Sequence, residues 1–160
     1  MPATLANDRF ILQMSVAGYE FPDVTNDVHD ANWLLIRLSL QSQHGAWNWQ
    51  VEDAGALTWE LDDCVQWLLA LADNKPVEKE GCGFSEPDIH FETIRGEDAV
   101  VIGLSVNLMD EFQPPTKVLV PRENNIVNLR FHTPSEVLRN FADKLAAELA
   151  SYPLRGRRPE

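Results

Sequence analysis

The chain has no long apolar segment and no paired-cysteine motif, and each absence excludes a class of protein. No run of about 18 apolar residues occurs, so we expect no transmembrane helix. The N-terminus lacks a basic segment followed by an apolar one, so we expect no secretory signal and a cytoplasmic location. Cys64 and Cys82 form no CxxC pair, which predicts reduced thiols, one buried on a helix and one in a loop.

Basic side chains are scarce. The 160 residues contain 13 Lys and Arg against 25 Asp and Glu, for a formal net charge of −12. Only Arg9 and Arg37 precede Lys75, so the negative charge is concentrated in the N-terminal half. Such a field repels nucleic acid and anionic membranes, and we expect neither as a partner, whereas a basic protein would be attracted. The alternative is that the charge serves only solubility, as in many cytosolic proteins.

Sequence motifs of catalysis and of metal or phosphate binding are missing as well. The histidines are scattered, at His29, His44, His90 and His132. The acidic loop 23–30 lacks calcium-loop spacing, no GxSxG motif occurs, and no glycine-rich loop precedes a helix. Cys82 lies between two glycines, but no basic residue or helix start that would lower its pKa is evident. We therefore predict no catalytic residue, no metal and no cofactor.

The clearest pattern is a β-hairpin over residues 33–53. Apolar residues alternate along its first arm, at Leu34, Ile36, Leu38 and Leu40. A turn at His44-Gly45 pairs Leu40 with Trp49 and Leu38 with Val51, so both apolar rows meet on one face. This pairing makes core packing the expected role of Trp47 and Trp49.

The remaining pattern predicts strands and two helices. We expect a strand over 9–17, a turn over 54–56, a helix from Thr58 to about Ala72 and a mobile loop over 73–85. A second hairpin has its turn at 95–98 and pairs Phe91 with Ile102, and a third places 118–120 opposite 127–129. The last element is a helix that begins with a capping box at Thr133. The whole predicts one α+β domain over 1–160, with an ordered core of about 9–153 and flexible ends at 1–8 and 154–160. We expect a mainly antiparallel sheet of about six to seven strands, with two helices packed on one face.

Acidic residues flank the hairpin and are the candidate partner-binding surface. They lie in the loop before it, directly after it and on the first helix: Glu20, Asp23, Asp27, Asp30, Glu52, Asp53, Asp62 and Asp63. Acids near a helix start also complement the helix dipole, which explains Asp62 and Asp63 without a partner. The helix dipole explains Glu52 and Asp53 less well.

Two other interpretations remain. Asp88, His90 and Glu92 share one face of a strand, and they could line the groove of a small-molecule-binding protein or enzyme. The solvated side of a two-sided sheet explains the same row. A homodimer could instead use Trp33 and Leu35, on the other face of the first hairpin arm.

Short motifs in a fixed order resemble one known family. They are residues 10–16 and 18–22 (GYEFP), Asp30 with Trp33-Leu34, residues 45–47 (GAW), Leu57-Thr58, Trp67-Leu68 with Leu71-Ala72, residues 84–88 (FSEPD), Pro114-Pro115 and residues 152–155 (YPLR). Over nearly the whole chain this resembles the bacterial WapI-type immunity proteins and their uncharacterised relatives. The resemblance implies a non-enzymatic cytosolic antidote that binds a toxin domain. Many such domains are nucleases with basic surfaces, which an acidic protein could occupy.

Overall fold

The computed structural model describes residues 2–94 and 101–160. Within these ranges the chain is α+β, with nine strands and two α-helices. The strands are β1 Ala3–Ala6, β2 Phe10–Tyr19, β3 Trp33–Ser42, β4 Asn48–Leu57, β5 Gly81–Gly83, β6 Ile89–Ile94, β7 Val101–Leu108, β8 Arg122–Glu123 and β9 Ile126–Pro134. The helices are α1 Thr58–Ala72 and α2 Ser135–Leu149, and short 3-10 turns lie at Asp30–Asn32 and Asp110–Phe112. No described helix is long and apolar enough to cross a membrane.

The strands form two antiparallel sheets, and the prediction of one sheet with six to seven strands is wrong. The first sheet has the order β1-β2-β3-β4 and the second β5-β6-β7-β9-β8. After β4 the chain enters α1 and then starts the second sheet at β5, so the helix separates the two ladders. Alternation along a strand reports which face is buried, but it does not report which strands share hydrogen bonds.

One core joins both sheets and both helices. The helices pack on each other; α1 also contacts β4 and β5, and α2 contacts β1, β2, β7 and β9. Phe10 of the first sheet meets Phe131 of the second edge to face, with ring centroids 5.7 Å apart. Phe91 lies 6.4 Å from Phe141 of α2. The helices therefore lie against both sheets, rather than on one face of a single sheet.

The hairpin register is confirmed. Leu40 lies opposite Trp49 and Leu38 opposite Val51. The row from Leu34 to Leu40 is buried, and Trp49 and Val51 are partly buried against the same core. A one-residue slip would have turned the apolar row to solvent, so burial excludes odd shifts of the register, and the turn at His44-Gly45 selects the observed pairing among the even ones.

Gly55 occupies a β-bulge where we predicted a turn. Leu34 pairs with Ala56 and Leu35 with Ala54, so Gly55 is the extra residue of β4. A Cβ there would lie 2.7 Å from Cγ1 of Ile36 and 3.2 Å from Cζ of Phe112. The glycine thus lets the turn Asp110–Phe112 pack against the end of β4.

The later hairpins differ from prediction in register and length. Phe91 pairs with Val106, four residues beyond the predicted Ile102. An even shift keeps the same side chains buried, so alternation could not reject it. The turn predicted at 95–98 lies outside the described residues. The predicted pairing of 118–120 with 127–129 is wrong. The partner strand is β8, which pairs with residues 126–127 and has two residues only, because Pro121 before it cannot donate a hydrogen bond to a ladder.

Two short strands were not predicted. Ala3–Ala6 pairs with β2 as the edge of the first sheet. Gly81–Gly83 pairs with β6 at the edge of the second sheet, inside the segment that we expected to be a loop. Both are too short for alternation to show.

Candidate partner-binding site

Asn32 is the buried anchor of the loop that leads into the hairpin. Its side chain is fully buried. Its Nδ2 donates to the carbonyls of Val28 (2.6 Å) and Arg155 (2.8 Å). Its Oδ1 accepts from Oγ1 of Thr58 and from the backbone N–H of Arg155, each at 2.9 Å. One amide thus joins the acidic loop, the start of α1 and the C-terminal segment.

Arg155 holds the same loop from its other side. Its guanidinium donates to the backbone carbonyls of Phe21, Pro22 and Val24. It also lies over the ring of Tyr19, 4.4 Å from the centroid, in a cation–π contact. The Tyr19 hydroxyl donates to the carbonyl of Pro153 (2.5 Å). The separated sequence motifs GYEFP and YPLR therefore meet in one structure.

Several carboxylates gather beside the loop that Asn32 and Arg155 hold, which we call the platform. The pKa of Glu20 is raised by partial burial and then by the charges of Asp53, Asp30 and Glu86. The pKa of Asp88 is raised by burial and then by Asp110, Glu86, Glu111 and Asp53. The charges of Asp53 and Glu86 act on both Glu20 and Asp88, so these carboxylates lie close enough to form one region of negative charge. We call them the acidic cluster: Glu20, Asp30, Asp53, Glu86, Asp88, Asp110 and Glu111.

Asp88 is the most buried member, with 7% of its surface exposed. Its backbone carbonyl accepts from the N–H of Met109 (2.8 Å), and this bond places Asp110 directly beside it. Asp110 has a φ of +48°, a left-handed conformation that aspartate tolerates better than most residues. Together with the close approach at Gly55, this turn brings Asp110 and Glu111 to the cluster.

No ion pair among the described residues neutralises the acidic cluster. Every ion pair between described residues uses a carboxylate outside it. Nor does any group of three or more His, Cys, Asp or Glu in the described chain have the arrangement of a metal site. The result is a region of repelling negative charges, which adds to the effect of burial in raising the pKa values of Glu20 and Asp88.

Other residues of the predicted surface have local partners. Glu52 accepts from Nη2 (2.6 Å) and Nε (3.0 Å) of Arg37, directly opposite on β3. Asp63 forms a two-bond ion pair with Arg158, at 2.6 and 3.2 Å. Their charges are therefore largely compensated.

Three more residues were predicted to bind the partner. Asp23 and Asp27 lie in the loop that carries Asp30, and Asp62 lies apart from the acidic cluster. Asp27 accepts from the backbone N–H groups of His29 (2.9 Å) and Asp30 (3.0 Å), so it caps the turn that carries Asp30. Asp23 is exposed in the same loop. Asp62 lines a separate groove of about 410 Å³ with Trp59 and Arg158.

The strip Asp88, His90 and Glu92 does not form one pocket. Nε2 of His90 lies 3.1 Å from Oε1 of Glu92. The two side chains line a groove of about 310 Å³ with Asn107 and Asn128. Asp88 is absent from that groove and belongs to the acidic cluster instead. The amide of Asn128 is already hydrogen-bonded to Asn107, at 2.7 Å.

Three of the five tryptophans pack against the core. Trp47, Trp49 and Trp67 are partly buried against the core. Nε1 of Trp67 donates to the carbonyl of Lys79 (2.9 Å) and so holds the segment after α1. Trp33, proposed with Leu35 as a dimer contact, is half-buried, as is Leu35.

Sequence reasoning did not include Glu86, Asp110 and Glu111 in the surface. Glu86 and Asp88 lie two residues apart, which indicated a shared face but not which neighbours they meet. Asp110 and Glu111 precede Pro114-Pro115 in a segment we read as a loop. Only the contact between the two sheets brings them beside Asp53.

The described residues form an α+β protein with an acidic cluster that has no ion-pair partner among them. The profile of the Immunity protein WapI-like family matches residues 4–153. The chain therefore belongs to the WapI-like immunity protein family. No curated protein matches the sequence.

A solved structure titled "Structure of the plant transcriptional regulator PBF-2" is similar at a TM-score of 0.44 and 7% sequence identity. The alignment covers 95% of this chain and 83% of that chain. A likeness at this level carries no conclusion about fold or function.

Proposed function

We propose that this protein neutralises a cognate toxin domain by binding a basic surface of that domain with the acidic cluster. The observation that carries the proposal is a set of carboxylates without ion-pair partners in the described chain, in a member of an immunity protein family. Keeping like charges together costs folding free energy. That cost is understandable if a cationic partner offsets it on binding.

The proposed mechanism is occlusion without chemistry. A toxin domain that acts on nucleic acid would present Arg and Lys side chains, and the cluster would occupy them in place of phosphates. The net charge of −12 would steer the two proteins together and raise the association rate. Complementary local charges would then set the dissociation rate.

The platform beneath the cluster supports this role. Asn32 and Arg155 hold the loop that carries Glu20, Asp23 and Asp30. A loop held in this way loses little conformational entropy on binding, which favours affinity. Asp23 and Asp27 would extend the contact along the loop.

The proposal is tested with the toxic domain of a secreted protein encoded beside this gene. Isothermal titration should give one-to-one binding that weakens at least tenfold when salt rises from about 50 to 200 mM, because exposed charge pairs are screened. The triple variant Glu20→Gln/Asp30→Asn/Glu86→Gln should bind at least tenfold more weakly. Their side chains make no intramolecular bond among the described residues, so folding should persist.

The matched control neutralises the same number of charges elsewhere, as Glu78→Gln/Glu123→Gln/Asp143→Asn. These residues are exposed and form no ion pair within the described chain. Both triples change net charge equally, so they should slow association alike, and only the cluster variant should speed dissociation. Equal affinities for the two triples would refute the acidic cluster as the binding surface, even if the toxin is bound and neutralised.

A further inference from the structure

The two cysteines of the chain lie side by side in the fold. Cys64 is on α1 and Cys82 is the central residue of β5. The helix packs against this strand, so Cys64 in the core and Cys82 against that core lie next to each other. Cys64 is fully buried, whereas Cys82 is partly exposed. The rest of α1 and the segment 73–80 separate them in the sequence, which predicted one thiol on a helix and one in a loop.

Cys82 faces both the core and solvent. It packs against the core beside α1, and it also lines a groove of about 470 Å³ between that helix and the segment 76–83. The hydrogen bond from Trp67 to Lys79 holds that segment against α1. A small oxidant can therefore reach Cys82 through the groove, whereas Cys64 is accessible only to Cys82.

The two thiols have different acidities. The hydrogen bond from Cys64 lowers the pKa of Cys82, and Lys79 adds to this, against burial and the charges of Asp63 and Glu60. The bond and complete burial raise the pKa of Cys64. Cys82 is thus the better nucleophile and Cys64 the proton donor.

We propose that Cys82 and Cys64 form a peroxide-sensitive thiol pair, in which Cys82 reacts with hydrogen peroxide and Cys64 closes an internal disulfide. The Cys82 thiolate attacks one peroxide oxygen, the O–O bond breaks, and the departing hydroxide takes a proton to become water. The sulfur of Cys64 then attacks the sulfenic acid at Cys82; the S–S bond forms, the S–O bond breaks and a second water leaves with the Cys64 proton. Two thiols lose two electrons, which reduce one peroxide to two waters.

The disulfide would tie the edge strand β5 to α1. The chain between Cys64 and Cys82 would then be a covalently closed loop. This loop includes Lys79, whose carbonyl accepts a hydrogen bond from Trp67. The proposal does not depend on toxin binding, because it rests on the thiol pair and its groove alone.

The test treats the full-length protein with hydrogen peroxide, blocks free thiols with N-ethylmaleimide and measures intact mass. The wild type should lose about 2 Da, accept no maleimide and regain both thiols with dithiothreitol. Peptide mapping should find the Cys64–Cys82 link. A wild type that keeps both thiols, gains about 16 Da per oxygen at Cys82, or forms dimers through Cys82 would overturn the proposal.

Two variants separate the roles. Cys64→Ala should leave a sulfenic acid at Cys82 that dimedone traps, because no resolving thiol remains. Cys82→Ser should leave Cys64 unreactive to peroxide and to maleimide while folded, because Cys64 is buried. Oxidation of Cys64 in that folded variant would contradict the assigned order. Circular dichroism checks folding; if Cys64→Ala does not fold, the wild-type mass and peptide map decide alone.

Discussion

Asn32 binds the main chain of Arg155 in both directions. Its Nδ2 donates to the Arg155 carbonyl at 2.8 Å, and its Oδ1 accepts from the Arg155 N–H at 2.9 Å. The side chain imitates a neighbouring strand and joins residues 123 positions apart in the sequence. The C-terminal segment is thereby attached to the loop that carries part of the acidic cluster.

The first prediction concerns this amide. Asn32→Ala should lower the free energy of unfolding by about 2–4 kcal/mol, because it removes several hydrogen bonds and leaves buried polar groups without partners. Urea denaturation measures the change, and hydrogen exchange should show faster opening over residues 20–32. Asn48→Ala, at an exposed position on β4, is the control and should change stability by less than about 0.5 kcal/mol. Equal effects of the two variants would contradict the anchoring role.

The second prediction concerns the contact at the bulge. Gly55→Ala should destabilise the protein by about 1–3 kcal/mol, because the new methyl group would overlap Ile36 and press on Phe112. In a Phe112→Leu background the cost should be smaller, since one of the two obstructing groups is shortened. Thermal or urea unfolding of the wild type, the two single variants and the double variant gives the coupling free energy between positions 55 and 112. A fully stable Gly55→Ala protein would show that this contact is not tight.

The third prediction is a pH dependence at Asp88. The raised pKa means that the carboxyl binds its proton more tightly in the folded chain than in the unfolded one. Its contribution to stability is therefore complete below the ordinary Asp value of about 3.9 and is lost as the pH rises through the folded pKa. Asp88→Asn should be more stable than the wild type at neutral pH, by up to about 1 kcal/mol, and the difference should shrink on acidification.

Urea unfolding from about pH 4 to pH 7 measures this difference. Asp143→Asn, at an exposed site on α2, is the control and should change the free energy of unfolding by less than about 0.5 kcal/mol. If Asp88→Asn is less stable at neutral pH, the carboxylate is favourable in the fold and the repulsion argument fails.

The fourth prediction separates paired from unpaired carboxylates in toxin binding. Glu52→Gln and Asp63→Asn should each change the dissociation constant less than about threefold, because Arg37 and Arg158 already compensate these charges. Glu20→Gln and Glu86→Gln should each weaken binding about tenfold, equivalent to 1.4 kcal/mol. Titration calorimetry with the toxin domain makes the comparison. A larger effect at Glu52 or Asp63 would move the binding surface towards the exposed side of the first sheet or α1.

Local patterns predicted the hairpin and both helices well, but α2 begins at Ser135 without the capping box that we expected at Thr133. The apolar row from Leu34 to Leu40, together with the turn expected at His44-Gly45, predicted one register, and the structure has that register. The pairing of Phe91 was wrong because a shift of four residues buries the same side chains. For the candidate site, the sequence pointed to acids beside the hairpin, and Glu20, Asp30 and Asp53 do gather. It could not show that Glu52 and Asp63 have arginine partners.

The sequence by itself determined the faces of the strands, the amphipathic helices, the excess of negative charge and the family motifs. These follow from spacing and composition, which act over a few residues or over the whole chain. The tertiary structure alone decided that there are two sheets, that Asp110 lies beside Asp88, and that Cys64 meets Cys82. Such contacts join distant segments through packing, and no periodicity in the sequence records which segments will meet.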